Sequence, residues 1–452
     1  MAAHTSLWAY TKVCRLEYLR GEAPAVLIPA LITTTSVQAL FAPAVLEAVA
    51  VFAILYLAGF IVNALVDRDL DVKYDTFKRE IGEATNKLGV RRMRAILAAH
   101  LIVALGLSVH LSMVLRAPEL FALAAVGTFL AMAYSLPPLH FKVRGVAAHA
   151  VSLSLSAFAI PFLFLYRVAA GEIDAMGWAI CGAFTLTHYG LTYTNQAYDF
   201  DLDKREGVQT PPVRVGLRRS LVASAIMTTV GLTALTVAVV MLALSRSTVA
   251  SAWGAAGGIA IVVGTPMLLW LGYGVPLRGV LRMLRTVRDS PSEEEAVPKM
   301  REAVNYANFH AAGIAALAAF ALVFFAATVQ ASSVLDQAAV DSLEFVHGPS
   351  IEAGQGPGST TISYSIHNGG TLTMPASSVQ MRATVHGPGG ALVATVVLTA
   401  PRALAPGATH DQSFVLFQSF PSGTVITLTL VMDANRDNLD VRTVDRATLT
   451  VP

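Results

Sequence analysis

Charge is what this chain of 452 residues has least of: 14% of its residues are Asp, Glu, Lys or Arg, against roughly 25% in an ordinary soluble domain. Cysteine is nearly absent too. Cys14 and Cys181 stand far apart, which excludes a disulfide framework and a cysteine-based zinc site. The formal net charge is only +2, so bulk positive charge cannot drive nucleic-acid binding, and no nucleic-acid partner is expected. With 33 glycines and 21 prolines, neither a collagen-like repeat nor low-complexity disorder is in play. What remains is 54% hydrophobic, and a chain that apolar is first to be tested as a membrane protein.

A helix needs about 20 apolar residues to cross ~30 Å of hydrocarbon. Such runs occur at 24–42, 46–66, 95–115, 119–135, 147–167, 175–198, 220–244, 253–273 and 307–330, which predicts nine transmembrane helices. The N-terminal segment is polar for too long to read as a cleavable signal peptide. If the N-terminus is cytoplasmic, the inside segments hold 24 of the 32 Lys and Arg residues and the outside loops hold three, Arg116, Arg167 and Arg246. That bias fixes the expected orientation, in a prokaryotic cell membrane, with everything after residue 330 on the far side. Between the eighth and ninth spans, Val280, Met283, Leu284 and Val287 recur at helical spacing with Arg278, Arg282, Arg285 and Arg288 among them. This reads as a short amphipathic helix on the anionic leaflet, contacting membrane lipids, or as a basic connector. Ser290 to Lys299 reads as a solvated loop.

From about residue 340 the long runs give way to short alternating stretches, Thr360–Ile366, Val379–Val385, Leu392–Leu398, Gln412–Phe417 and Val425–Met432, separated by Gly-, Pro- and Asn-containing turns. About seven strands in roughly 100 residues predict a β-sandwich. It resembles the immunoglobulin-like adhesion modules appended to prokaryotic surface proteins, and an extracytoplasmic partner for it is undefined. The expected organisation is a membrane all-α bundle of nine transmembrane helices over 1–332, a linker over 333–345, and a small all-β domain over 346–452, outside the cell. Asp433 to Asp440 carries acids at calcium-loop spacing but lacks the sixth-position glycine and the twelfth-position glutamate, so it reads as a polar turn.

Two acidic motifs carry the chemistry. The second span ends in Asn63-Ala-Leu-Val-Asp67-Arg-Asp69-Leu-Asp71, the sixth in Asn195-Gln-Ala-Tyr-Asp199-Phe-Asp201-Leu-Asp203. Spacing by four puts Asn63, Asp67 and Asp71 on one helical face, and Asn195, Asp199 and Asp203 on another, with Asp69 and Asp201 turned away. Carboxylates this close raise one another's pKa unless a cation sits among them. Oxygen-only ligands favour Mg²⁺, which takes one or two carboxylates and completes its shell with water and phosphate oxygens. Two facing stripes fit two or more Mg²⁺ ions around one diphosphate. The bland reading, acid-rich caps on a membrane face, leaves the duplication at matching span ends unexplained.

These residues resemble the UbiA-type intramembrane prenyltransferases over about residues 10–330. Tyr134-Ser-Leu-Pro-Pro-Leu-His-Phe-Lys142 at the end of the fourth span is similar to that family's Y-S-x-P-P-x-R-x-K segment, with His140 where Arg is usual. Ala64 replaces the first Asp of the family's first motif, and Lys78-Arg79-Glu80 stands near the place of its Arg-Pro pair. The resemblance implies a Mg²⁺-dependent transfer of a prenyl group from an isoprenoid diphosphate, releasing diphosphate. It implies Mg²⁺ on Asn63, Asp67, Asp71, Asn195, Asp199 and Asp203, with the diphosphate met by Lys142, Lys78 and Arg79, and less centrally by Arg15, Lys73 and Lys204. Tyr134 and Tyr198 would line the same region. The acceptor is a hydrophobic or aromatic molecule: a quinone, pigment, carotenoid or lipid precursor.

The alternatives are a secondary transporter using the acidic motifs as a coupling-ion site, although transporters usually place such sites near the midplane on broken helices, and an anchor that displays the sandwich. His188, seven residues before Asn195, is expected to bond a neighbouring helix. His100, His110, His149 and His310 stand in no such register with the motifs.

Overall fold

A computed structural model describes residues 2–16, 19–34, 36–74, 77–245, 249–303, 312–326, 342–353, 359–374, 378–400, 403–433 and 442–451. The chain divides into two compact units, 1–34 with 39–325, and 326–452 with the short stretch 35–38.

The first unit is helical. It opens with α1 (Ala2–Val13), α2 (Leu19–Thr33), the single turn α3 (Val37–Leu40) and α4 (Pro43–Val66). Pro43 begins α4, where its missing N–H costs nothing. The single turn α5 (Arg68–Asp71) follows at once, then α6 (Phe77–Leu88), α7 (Val90–Val114) and α8 (Pro118–Ser135). Next come α9 (Val146–Leu153), a π-helical stretch Ser154–Ala159, α10 (Ile160–Ala170) and α11 (Ala175–Tyr198). The unit continues through α12 (Phe200–Arg205), α13 (Pro211–Val215), α14 (Leu217–Ser245), α15 (Val249–Arg288), α16 (Glu293–Ala303) and α17 (Ala312–Ala326).

Among the described residues, six helices are long and apolar enough to cross a membrane, and Ala23–Thr33 and Ala312–Ala326 are shorter apolar helices. The expected count of nine is therefore met only in part. The run 24–42 is interrupted after Thr33. The run 307–330 falls partly on residues outside the described set, as does His310. The run 175–198 is a continuous helix, α11, whose Thr185, Thr187, His188, Thr192, Thr194, Asn195 and Gln196 dilute its hydropathy. α11 tolerates them because it is central rather than lipid-facing: Ile180, Phe184 and Thr187 are buried, and it packs on α14 along its length. His188 bonds the Tyr273 hydroxyl of α15 at 2.7 Å, the neighbouring-helix role expected of it.

Small residues set that packing. A Cβ on Gly231 would lie 2.5 Å from Thr187 Oγ1 and 2.6 Å from its amide nitrogen, and one on Gly190 would lie 2.7 Å from Thr228 Oγ1. Backbone approach of this kind drives helix association where lipid gives no hydrophobic drive. Gly231→Leu must separate α14 from α11. A loss of about 1–3 kcal/mol is expected, read as a lower melting temperature in detergent.

Two sequence expectations are corrected on the basic side. The stripe Val280, Met283, Val287 is not a separate surface helix but the continuation of the 40-residue α15. Its apolar face is covered by protein: Val280 and Met283 are fully buried against Ala296, Val297 and Met300 of α16 and against Ala197 and Phe200 of the second motif. The stretch read as a solvated loop, Ser290 to Lys299, is accordingly mostly helix from Glu293 onward.

The second unit is a small all-β domain of seven strands: β1 (Leu343–Ala353), β2 (Thr360–Asn368), β3 (Val379–His386), β4 (Leu392–Thr399), β5 (Thr409–Leu416), β6 (Val425–Met432) and β7 (Arg442–Thr450). They form a three-stranded sheet, β1-β2-β5, and a four-stranded sheet, β4-β3-β6-β7, whose neighbouring strands pair antiparallel. Alternating residues Ile362, Tyr364 and Ile366 from one sheet meet Met381, Ala383, Ile426 and Leu428 from the other in one core. β1 starts inside the stretch read as linker. Asp433 is buried, its amide bonding the Ser378 carbonyl at 2.7 Å and its carboxylate accepting from Gln380, while the remainder of the acidic turn it opens lies outside the described residues.

Candidate functional site

The two motifs fold alike. α4 stops at Asp67 and α5 begins beyond it. α11 stops at Asp199 and α12 begins beyond it. Asp67 (φ −85°, ψ 4°) and Asp199 (φ −99°, ψ 0°) occupy the same bridging conformation, and the amides of Asp71 and Asp203 bond the carbonyls of Asp67 and Asp199 at 2.7 and 2.8 Å. Each carboxylate thus projects from a helix C-terminus, the negative end of the dipole, and needs cations supplied from elsewhere.

Two lysines provide them. Lys142, in the turn after α8, meets Asp67 Oδ2 at 2.5 Å, and Lys78 of α6 meets Asp199 Oδ2 at 2.6 Å. All four side chains are at most 19% exposed. Lys78 reaches across because α6 lies tightly on the first motif: a Cβ on Gly82 would stand 2.7 Å from Val72 Cγ1, so no larger residue fits there without displacement. Asp203 accepts from the Tyr74 hydroxyl at 2.7 Å and from Thr210 at 3.0 Å. Asn63, with its amide turned to suit its neighbours, donates to Asp67 Oδ2 at 3.0 Å and accepts from Arg15 at 3.2 Å. Buried Asp71 leaves Oδ2 with no hydrogen-bond partner among the described residues.

Electrostatics separates the four acids. Burial raises the Asp67 carboxyl, but Lys142 through charge and hydrogen bond, then Lys78 and Arg15, hold it below the usual carboxylate value. Burial pushes Asp71 up to about 6, with Arg15 opposing and Asp67 adding to the rise. Burial also raises Asp203, against the pull of Lys78 and Tyr74. Because the folded-state value of Asp71 is raised above its ordinary 3.8, the metal-free fold is favoured at low pH and loses that contribution as pH rises through about 6. A cation that binds the ionised form must displace the proton below that pH. The Mg²⁺ dissociation constant is expected to rise about tenfold per pH unit below 6 and to be flat above it. Titration calorimetry on wild type and Asp71→Asn checks this, the variant showing a weaker dependence because Asp203 remains.

These groups open on a cavity of ≈ 590 Å³. Asn63, Asp67, Asn195, Asp199, Asp203, Arg15, Lys78, Lys142, Tyr134 and Tyr198 line it. Phe52, Leu55, Phe60, Met132 and Phe158 form its apolar remainder. From Asp67 to Phe52 along α4 is ~22 Å at the helical rise. Gly59 also lines it, and a Cβ there would meet nothing within 4 Å.

Not every candidate is brought there. Asp71 lies behind the lining. Arg79 is exposed and pairs with Glu83 at 3.2 Å, Lys73 pairs with Glu206, and Lys204 pairs with Glu294 of α16. Asp69 pairs with its neighbour Arg68 and Asp201 with Arg301 and Arg205, both turned from the stripe as the spacing predicts.

Several lining residues went unread in the sequence, Arg301, Ser135 and Gln196 among them. Arg301 of α16 donates from Nε to the Tyr198 carbonyl at 2.9 Å and from Nη2 to Asp201 at 2.7 Å, clamping the second motif's turn. Its only signal was a place in a basic loop. Ser135 and Gln196 sit inside the quoted motifs.

Donor chemistry fits Mg²⁺. The lining offers carboxylates and amides but no thiol or imidazole, and Asp71 carries an orphaned buried oxygen. Among the described residues no three His, Cys, Asp or Glu groups converge on one metal position. That suits an ion held by one or two carboxylates and completed by phosphate and water.

The family model described as the UbiA prenyltransferase family matches residues 23–277. No curated protein sequence matches the chain. Solved structures similar to it include a UbiA homolog from Archaeoglobus fulgidus bound to GPP and Mg²⁺, at 17% identity and TM-score 0.47, over 71% of this chain and 99% of that one. The same homolog bound to DMAPP and Mg²⁺ has 17% identity and TM-score 0.48, over 71% and 98% of the two chains. A digeranylgeranylglyceryl phosphate synthase has 14% identity and TM-score 0.44, over 72% and 99%.

Proposed function

The chain belongs to the UbiA prenyltransferase family, and from that premise we propose that it moves a prenyl group from an isoprenoid diphosphate to a lipophilic or aromatic acceptor inside the membrane, using Mg²⁺ and releasing diphosphate. One observation carries this reading: a single cavity joins two matched carboxylate–lysine pairs at its polar part to an apolar part lined by Phe52, Leu55, Phe60 and Phe158. A prenyl diphosphate has the same two-part character.

Asn63, Asp67, Asn195, Asp199 and Asp203, with Asp71 behind them, would hold the metal. When bound, Mg²⁺ neutralises charge on the leaving diphosphate oxygens. Lys142, Lys78 and Arg15 carry fixed positive charge to the same place and stabilise the diphosphate as the C–O bond breaks. The apolar wall excludes water, so the allylic cation meets the acceptor and not a hydroxide. Arg301 keeps Asp199 in register by holding the turn that carries it. Acids at helix ends beside lysines favour phosphate chemistry over a transporter's coupling-ion site. The polar end faces the cytoplasm in this reading, as the basic loops favour. The all-β domain lies outside the cell, its three-plus-four strand arrangement supporting an immunoglobulin-like module.

Purified protein is to be incubated with Mg²⁺, prenyl diphosphates of increasing length, and acceptors drawn from phenols, quinone precursors, glycerol-linked lipid alcohols and isoprenoids, with products read by mass spectrometry. The expected result is a Mg²⁺-dependent adduct heavier by the prenyl group and one diphosphate per adduct. Absence of both across the panel would sink the reading.

A further inference from the structure

One polar cluster beside the cavity is unused by the chemistry above. His149 of α9 is completely buried, within a helix otherwise made of Ala, Val, Ser and Leu. A buried imidazole at membrane depth is held for a reason. Its Nε2 meets the Tyr134 hydroxyl at 3.3 Å and the Gln196 amide nitrogen, and its Nδ1 meets the Tyr189 hydroxyl at 3.2 Å. Tyr189 passes its own proton on to Tyr193 at 3.4 Å. Tyr134 and Gln196 line the cavity and His149 does not. The imidazole therefore touches the reaction space only through those two residues.

We propose that His149 takes up, through Tyr134, the proton that the acceptor loses when it is alkylated. The idea rests on the prenyl-transfer reading and deepens it. Atoms balance as follows. The C1–O bond of the donor breaks and its electron pair leaves with the diphosphate. The acceptor, X–H, forms the X–C1 bond. Its proton passes to Tyr134 Oη as the tyrosine proton passes to His149 Nε2. The return path hands the proton back through Tyr134 to the departing diphosphate.

The hydrogen bonds suit this role in both protonation states. In the neutral ring with Nδ1–H donating to Tyr189, the single lone pair of Nε2 is shared between the Tyr134 hydroxyl and the Gln196 amide N–H. In the imidazolium, Nε2–H needs an acceptor. Gln196 Oε1, buried without a hydrogen-bond partner among the described residues, supplies it when the amide turns over. Few side chains serve a base before and after it takes a proton, and glutamine is one of them. The charged and titratable groups around His149 are Tyr134 from α8, Tyr189 from α11 with Tyr193 beyond it, and Lys142 from the preceding turn. The charge of Lys142 is met by Asp67. Arg214 of α13, also packed near α9, turns to the Val143 carbonyl at 3.3 Å.

The test is kcat against pH, with geranylgeranyl diphosphate, Mg²⁺ and whichever panel acceptor wild type converts, for His149→Gln, Tyr134→Phe and the double variant. Mg²⁺-dependent binding of a thio-linked, unreactive geranylgeranyl diphosphate analogue is measured alongside. The expected result is a fall in kcat of about 10²-fold in each variant, loss of the acidic limb of the profile in His149→Gln, analogue binding near the wild-type level, and a double variant no slower than the slower single. A wild-type pH profile in His149→Gln would overturn the proposal, as would a loss confined to KM or to melting temperature. If His149→Gln does not fold, Tyr134→Phe carries the same prediction, and unchanged kcat there overturns it. If wild type converts no acceptor, the prenyl-transfer reading itself fails and the relay falls with it.

Discussion

Asp67→Ala and Asp199→Ala are each expected to lower Mg²⁺-dependent prenyl transfer by ~10³-fold or more, the upper range for loss of one group that stabilises transition-state charge. Each carboxylate occupies the turn where its helix stops, with a buried lysine held at 2.5 or 2.6 Å. Removing either takes from a buried lysine its carboxylate and takes away an oxygen proposed to bind the metal. Asp69→Ala separates this from a general effect of acid content. Asp69 belongs to the same motif, but its side chain is 82% exposed and pairs with its neighbour Arg68. Its loss is expected to leave turnover within about twofold of wild type. Radiolabelled prenyl diphosphate, with transfer counted in the organic phase, reads all three variants. Turnover retained in both Asp67→Ala and Asp199→Ala would remove the metal-clamp assignment.

Lys142→Met is expected to act twice. Without its closest partner, buried Asp67 keeps only Asn63 and the charges of Lys78 and Arg15, and breaking a buried pair costs up to about 3–5 kcal/mol. The metal-free protein should therefore melt well below wild type, and Mg²⁺ should recover part of the loss by replacing the missing positive charge. Transfer should remain ~10²–10³-fold down even at saturating Mg²⁺, because the leaving diphosphate has lost a fixed cation. Lys142→Arg keeps the charge and should recover most of the stability but less of the rate, since a planar fork does not repeat the point charge of an ammonium. Lys204→Met, an exposed residue paired to Glu294, serves as the control and should change neither. A Lys142→Met protein whose melting temperature ignores Mg²⁺ would argue against the pairing.

The acidic motifs were readable because helical spacing by four is a local property, and both copies obey it. Spacing cannot show what lies opposite. Lys142 stands 75 residues from Asp67 in the chain and Lys78 stands 121 from Asp199, so the lysine partners appear only once α6 and the turn after α8 are folded against the motif ends. The same limit explains the stripe Val280, Met283, Val287. Apolar residues at helical spacing look alike whether lipid or protein covers them, and here α16 does. α11 shows the reverse case. Its polar residues would be costly against lipid, yet several are bonded to neighbouring helices or to the preceding turn: Thr187 to the Ala183 carbonyl, His188 to Tyr273, Thr194 to Ser224. His149 drew no notice because its register was compared with that of the motifs, while its partners come from two other helices.

The central claim is that the paired carboxylate stripes bind a prenyl diphosphate through Mg²⁺. Calorimetric titration of the purified protein with the unreactive thio-linked analogue, with and without Mg²⁺, tests it most directly. Binding that requires Mg²⁺ in wild type and is abolished in Asp67→Ala/Asp199→Ala is the predicted result. Equal binding without the metal, or undiminished binding in the double variant, would contradict it.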